Sequence, residues 1–118
     1  MDGRDIVVIG ASAGGHKALP ALLERLPGDF PAAVFVVLHR FATDVPLAYV
    51  YPRASQLLLP LQWAVDGERF SCGRVYLAPP DDHLLVERGR TRLERGPKES
   101  WFRPAIDVLF RSAALAYG

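Results

Sequence analysis

Ile6-Val7-Val8-Ile9-Gly10-Ala11-Ser12-Ala13-Gly14-Gly15 and, further on, Val34-Phe35-Val36-Val37-Leu38-His39 are the stretches on which the fold turns. The first is a β-branched run, Ile6 to Ile9, ended by Gly10; the second is an apolar run, Val34 to Leu38, ended by His39. Neither alternates apolar with polar residues, as a strand with one wet face would. Such continuity suits strands covered by helices on both faces. Between them Leu19, Leu22, Leu23 and Leu26 recur with the spacing of one helix face, closed by Pro27 and Gly28. The three segments make a βαβ unit. Its crossover is nearly always right-handed, so both strands are expected to run parallel and to present their carboxyl ends on one edge. Pro20 is tolerated only in a first helical turn, which predicts a late or kinked helix start.

Working outward, a second helix is expected to begin near Pro46, with Thr43 or Asp44 as its cap, and not to pass smoothly through Pro52. From Leu57 to Leu93 the pattern changes to short extended pieces. Leu61 to Val65, Arg74 to Ala78 and His83 to Glu87 are separated by Asp66-Gly67, Cys72-Gly73 and Pro79-Pro80-Asp81-Asp82, which read as turns. Arg88, Arg90, Arg92, Arg95 and Lys98 are interleaved with Glu87, Glu94 and Glu99, the composition of a solvated hairpin rather than a phosphate patch. Pro104 opens a last helix with Ile106, Leu109, Phe110 and Ala113 on its apolar face, and Gly118 stands just past its end. A crossover helix delivers the chain to another strand, and this one has none to reach. On that ground the sequence reads as cut short.

With 118 residues, half of them hydrophobic, the chain supports one domain with a modest core. Fourteen Lys and Arg against 13 Asp and Glu leave a net charge of +1, too weak a field to suggest nucleic acid or anionic lipid as a partner. Cys72, the single cysteine, forms no internal disulfide, and the residues before Ile6 contain no apolar signal-peptide core. A reducing, cytoplasmic setting is therefore expected. No apolar run approaches the roughly 20 residues of a membrane-spanning helix, so a soluble chain without membrane insertion is expected.

Gly10-Ala11-Ser12-Ala13-Gly14-Gly15 follows a strand and precedes a helix, which meets both the spelling and the context of the G-x-S-x-G nucleophile elbow. Glycines let the tight turn bend while the serine hydroxyl is pushed out at the carboxyl edge of the sheet. Amides of the loop residues Ala13, Gly14 and Gly15 are candidates to face a developing oxyanion, assisted by the dipole of the following helix. Two nucleotide-binding readings fail narrowly. A P-loop needs lysine straight after its last glycine, where His16 stands, and a dinucleotide fingerprint needs glycine in place of Ser12. By itself the loop leaves open a nucleophile, a structural turn without chemistry, and a ligand phosphate site.

His39 shifts that balance, because it ends the second strand as Ser12 ends the first. Neighbouring strands lie roughly 4.8 Å apart, so side chains leaving adjacent carboxyl ends can meet. A serine hydroxyl needs a base within hydrogen-bond reach to act at neutral pH, and His39 is the candidate. A third group should orient the imidazole. Asp44, Asp66, Asp81, Asp82 and Asp107 are available, but none ends a clearly central strand, and Asp107 suits the first turn of a helix for structural reasons alone. None is assigned. His16 and His83 are read as structural, and Cys72 has no basic neighbour in sequence to activate it.

Ile9-Gly10-Ala11-Ser12-Ala13-Gly14-Gly15, Val36-Val37-Leu38-His39, Gly73-Arg74-Val75-Tyr76-Leu77-Ala78-Pro79, His83-Leu84-Leu85-Val86 and Arg103-Pro104-Ala105-Ile106-Asp107-Val108-Leu109-Phe110 together resemble the catalytic domain of the CheB-type protein-glutamate methylesterases of bacterial chemotaxis. The resemblance covers nearly the whole chain. It implies a doubly wound α/β fold: a three-layer, Rossmann-like, mostly parallel sheet with helices on both faces, here incomplete at its C-terminal end. Residues 1–118 would be the N-terminal two-thirds of the family domain. The implied activity is hydrolysis of glutamate methyl esters on methyl-accepting chemotaxis receptors, with deamidation of glutamines in many members. Ser12 would be the nucleophile and His39 the base, with no cofactor and no metal.

The departures from the family pattern carry expectations of their own. Ala13 stands where threonine is usual, and Leu38 and Arg40 stand where glutamine and methionine are common, so substrate contacts are expected to differ. The family aspartate lies beyond the helix that ends at Gly118. The family's receiver domain is expected to be absent, because Met1 stands just before the first strand, which leaves a separate response-regulator protein as a candidate second partner. Three rivals remain at this stage. They are a noncatalytic module that docks to receptor or signalling partner, an ordinary α/β-hydrolase, whose triad runs in a different chain order, and a nucleotide-binding domain.

Overall fold

The computed structural model describes residues 5–11, 18–38, 54–80, 82–95 and 104–118. Strand β1 (Ile6–Ala11) is followed by helix α1 (Ala18–Leu23) and strand β2 (Ala33–Leu38). The two strands pair in parallel along their full length, from Ile6 against Ala33 to Ala11 against Leu38. The βαβ unit is therefore as expected. Strand β3 (Leu61–Trp63) and strand β4 (Val75–Leu77) complete, among the described residues, a four-stranded parallel sheet in the order β1-β2-β4-β3. Strand β5 (His83–Glu87) and strand β6 (Arg90–Glu94) form an antiparallel hairpin, and helix α2 (Ile106–Tyr117) follows. The second helix expected near Pro46, with Thr43 or Asp44 as cap, lies outside the described residues.

Strand β2 explains the layering. All six of its residues are buried, and the period-two alternation of a strand sends them to opposite faces. Val34, Val36 and Leu38 join Leu19 and Leu23 of α1, together with Leu59, Val75 and Leu77, in one core. Ala33, Phe35 and Val37 join Phe70, Tyr76, Leu84, Val86, Leu109 and Ala113 in the other, under the hairpin and α2. Phe35 is central to the second core. It stacks on Tyr76 at 5.3 Å and meets the edge of Phe70 at 5.0 Å. Helix on one face, and helix plus hairpin on the other, make the Rossmann-like α/β arrangement that the sequence implied.

Two helical faces differ in detail from the periodicity. Leu22 was expected on the buried face of α1 but is 47% exposed. At 3.6 residues per turn it lies about 60° from Leu19, on the side away from Leu23, and so at the margin of the stripe. Beyond Leu23 the chain tightens, with Arg25 and Leu26 N–H groups bonded to the carbonyls three residues back, and Leu26 returns to the core. Phe110 was expected on the buried face of α2 but is 43% exposed. Leu109 and Ala113 are buried as expected, and Val108 is buried in place of Phe110, because the hairpin covers the side of the helix that carries Ser112.

The turns at Asp66-Gly67 and Cys72-Gly73 form as expected, with Gly67 at φ 77° and Gly73 at φ 78°, a region that favours glycine. Both lie in one connection between parallel neighbours β3 and β4. That connection runs beside the hairpin: Arg69 bridges Arg90, Gly67 N–H donates to Thr91 O, and Thr91 N–H donates to Glu68 O. Thr91 is buried, and its hydroxyl donates to Val65 O at 2.7 Å. The basic stretch is thus a hairpin, as read, but one face of β6 is built into the molecule.

Candidate active site

The parallel register places the carboxyl ends of β1 and β2 side by side. Ala11 closes β1 directly opposite Leu38, which closes β2. The backbones therefore leave the sheet one strand spacing apart, roughly 4.8 Å. The next residues in the chain are Ser12 and His39, the candidate nucleophile and base. Both lie outside the described residues, as do the candidate oxyanion and loop residues Ala13, Gly14 and Gly15, and also His16, Asp44 and Asp81.

Gly10 is the loop residue whose surroundings are defined. It sits in β1 opposite Val37, and its φ is not in the left-handed region. Its requirement is space. A Cβ built on Gly10 would lie 2.5 Å from Ile106 Cγ2 and 2.8 Å from both Cγ1 and Cδ1 of the same side chain. The first residue of α2 therefore lies flat against the strand just ahead of Ser12. Sequence reasoning assigned the glycines of this loop to bending; at Gly10 the reason is close approach.

The start of α2 carries a second feature that the periodicity did not reveal. Ala105 occupies the N-cap with extended backbone angles, φ −109° and ψ 138°, and has no side chain able to cap. His83, the first residue of β5, is only 4% exposed and accepts the Ala105 N–H on Nδ1 at 3.2 Å. Accepting there places the ring proton on Nε2. The structural reading of His83 gains a definite partner. A signal existed in the sequence: Pro104-Ala105 precedes a helical pattern without the Ser, Thr, Asp or Asn that ordinarily caps one.

The unassigned aspartates divide by position. Asp66 accepts the Leu93 N–H at 2.9 Å, and Asp82 pairs with Arg95 at 3.3 Å, so both serve the hairpin. Asp107 is exposed in the first turn of α2, where its charge complements the helix dipole. Cys72 is a half-buried free thiol in its turn. Among the described residues no group of three or more His, Cys, Asp or Glu is placed to hold a metal ion, and no helix is long and apolar enough to cross a membrane.

Comparison with known proteins places this geometry. The profile of the CheB methylesterase family matches residues 7–118. A protein-glutamate methylesterase/protein-glutamine glutaminase of Anaeromyxobacter dehalogenans is 41% identical over 114 residues, covering 97% of this chain and 33% of its own length. Another, from Burkholderia orbicola, is 45% identical over 114 residues, covering 92% of this chain and 32% of its own length. The crystal structure of the Thermotoga maritima CheB methylesterase catalytic domain matches with a TM-score of 0.82 at 36% identity, over 96% of this chain and 61% of that one. The chain spans about one third of the length of the curated relatives it matches. A shared parallel sheet, the same family profile along nearly every residue and this level of identity lead to one conclusion: the chain belongs to the CheB methylesterase family.

Proposed function

We propose that the chain carries the nucleophile and base of a protein-glutamate methylesterase acting on chemotaxis receptors. The observation that supports this most is the pairing of Ala11 with Leu38, which starts Ser12 and His39 from neighbouring points on the carboxyl edge of one parallel sheet. In this reading Ser12 Oγ attacks the carbonyl carbon of a glutamate methyl ester while His39 takes the hydroxyl proton. Loop amides, beginning with that of Ala13, stabilise the oxyanion. His39 returns the proton to the departing methanol. Water, activated by the same imidazole, then cleaves the acyl-serine and frees the glutamate carboxylate. A glutamine side chain entering the same path would acylate the serine with its amide nitrogen leaving as ammonia, which is the deamidation that relatives' names include. The substrate receptors and a separate response-regulator protein are the proposed partners, and the setting is the cytoplasm.

The test is methanol release from methylated receptor by the purified chain beside Ser12→Ala and His39→Gln. Release that disappears in both variants supports the assignment. Release that survives Ser12→Ala removes serine from the mechanism. A folded chain that releases no methanol yet binds receptor would make it a docking module instead.

A further inference from the structure

We infer that His83 is a positioning residue for the serine loop, acting through Ala105 and Ile106 of the α2 start on Gly10. The inference rests on the reading of Ser12 as nucleophile. Its parts are contiguous. The N-terminal N–H groups of a helix lack partners within the helix, and Ala105 brings no side chain to the task. His83 Nδ1 takes the Ala105 N–H from a buried position at the head of β5. This resembles the reach-back of a capping box, with the acceptor supplied by another element. Ala105 so held fixes where Ile106 enters the helix, and Ile106 occupies the space a Cβ at Gly10 would need.

Gly10 is two residues ahead of Ser12, and among the described residues β1 has β2 as its one strand partner. The end of β1 is therefore located from one edge by β2 and from one face by the start of α2. Other ties between the hairpin and α2 lie further along the helix. Ser112 Oγ accepts the Val86 N–H, Tyr117 Oη accepts the Gly89 N–H, and Arg88 donates to Ala116 O. Those hold the helix body. His83 holds the end that lies against Gly10, two residues ahead of Ser12 in the chain, and small displacements of a nucleophile cost rate steeply.

The experiment compares His83→Phe, which keeps an aromatic ring and loses the acceptor, with His83→Asn, which keeps an acceptor at the δ position, and with Ser112→Ala as a control on the helix body. Steady-state kinetics, thermal midpoint and residue-resolved amide exchange are measured on each. His83→Phe is expected to lower kcat roughly tenfold or more with KM little changed. It should also shift the amide signals of Gly10 and Ala11 and speed exchange at Ala105. His83→Asn should recover most of both effects. Ser112→Ala should lower the thermal midpoint while leaving kcat in place. Ile106→Ala, which removes the contact without touching His83, should reproduce the Gly10 and Ala11 shifts, and combining it with His83→Phe should add little. The inference is overturned if His83→Phe leaves Gly10 and Ala11 unperturbed, or if kcat follows the thermal midpoint equally in His83→Phe and Ser112→Ala. The exchange measurement needs no turnover, so a failed methylesterase reading, shown by release that survives Ser12→Ala, is separable from a failed role for His83.

Discussion

A methyl group added at Gly10 would overlap Ile106 at 2.5 to 2.8 Å, closer than carbon atoms approach without something shifting. Branched at Cβ and seated at the first helical position, Ile106 has no flexible end to swing aside. Gly10→Ala is accordingly expected to destabilise by about 1–3 kcal/mol, the cost of overpacking. Calorimetry should show this as a lower thermal midpoint, and the added Cβ should cost less in an Ile106→Ala background, which lacks all three of the overlapping atoms. An unchanged midpoint would mean that the helix start moves freely. Gly89 presents the opposite constraint: nothing lies within 4 Å of an added Cβ, but its φ of 77° is one that other residues adopt with strain. The sequence marks both as glycine and does not distinguish space from backbone conformation. His83 is similar. Its letter and its place after a turn are visible, whereas its partner Ala105 is 22 residues away.

Helix α2 is held along its length by the β5–β6 hairpin, and Ser112 is the tie at its centre. Its hydroxyl accepts the Val86 N–H at 2.9 Å and donates to Leu109 O at 2.8 Å. Removing it leaves a partly buried amide without that partner, so Ser112→Ala should cost about 1–3 kcal/mol. Urea unfolding should then show a lower midpoint with an unchanged slope, because the surface exposed on unfolding is the same. A midpoint equal to the parent's would show that water replaces the hydroxyl. Element identity was legible from local pattern in strands β1 to β5 and in α1 and α2. Which arc of each helix faces inward was not, as Leu22 and Phe110 show. Periodicity sets the width of an apolar stripe, but the elements packed on it decide its rotation.

For the molecule as a whole, the described ion pairs sit at the surface of the hairpin. Arg92 meets Glu87 at 2.8 Å and Glu94 at 3.5 Å, and Arg95 meets Asp82 at 3.3 Å. The hydrogen bond and charge of Glu87 hold the Arg92 guanidinium above its ordinary range. Exposed pairs contribute little and are screened by salt. The thermal midpoint is therefore expected to change little between low and high sodium chloride, and a large fall would show that the charged face matters more than the two apolar cores. Local chemistry, written along the chain, was sufficient to determine the continuous strands, their parallel βαβ connection, the turn glycines and the hairpin. The strand order β1-β2-β4-β3, the route of the β3–β4 connection along the hairpin, the seat of Ile106 on Gly10 and the His83 bond to Ala105 were decided only by the tertiary structure. Each of these joins residues far apart in sequence. Their pairing follows from which apolar surfaces close on one another, and no local period encodes that choice.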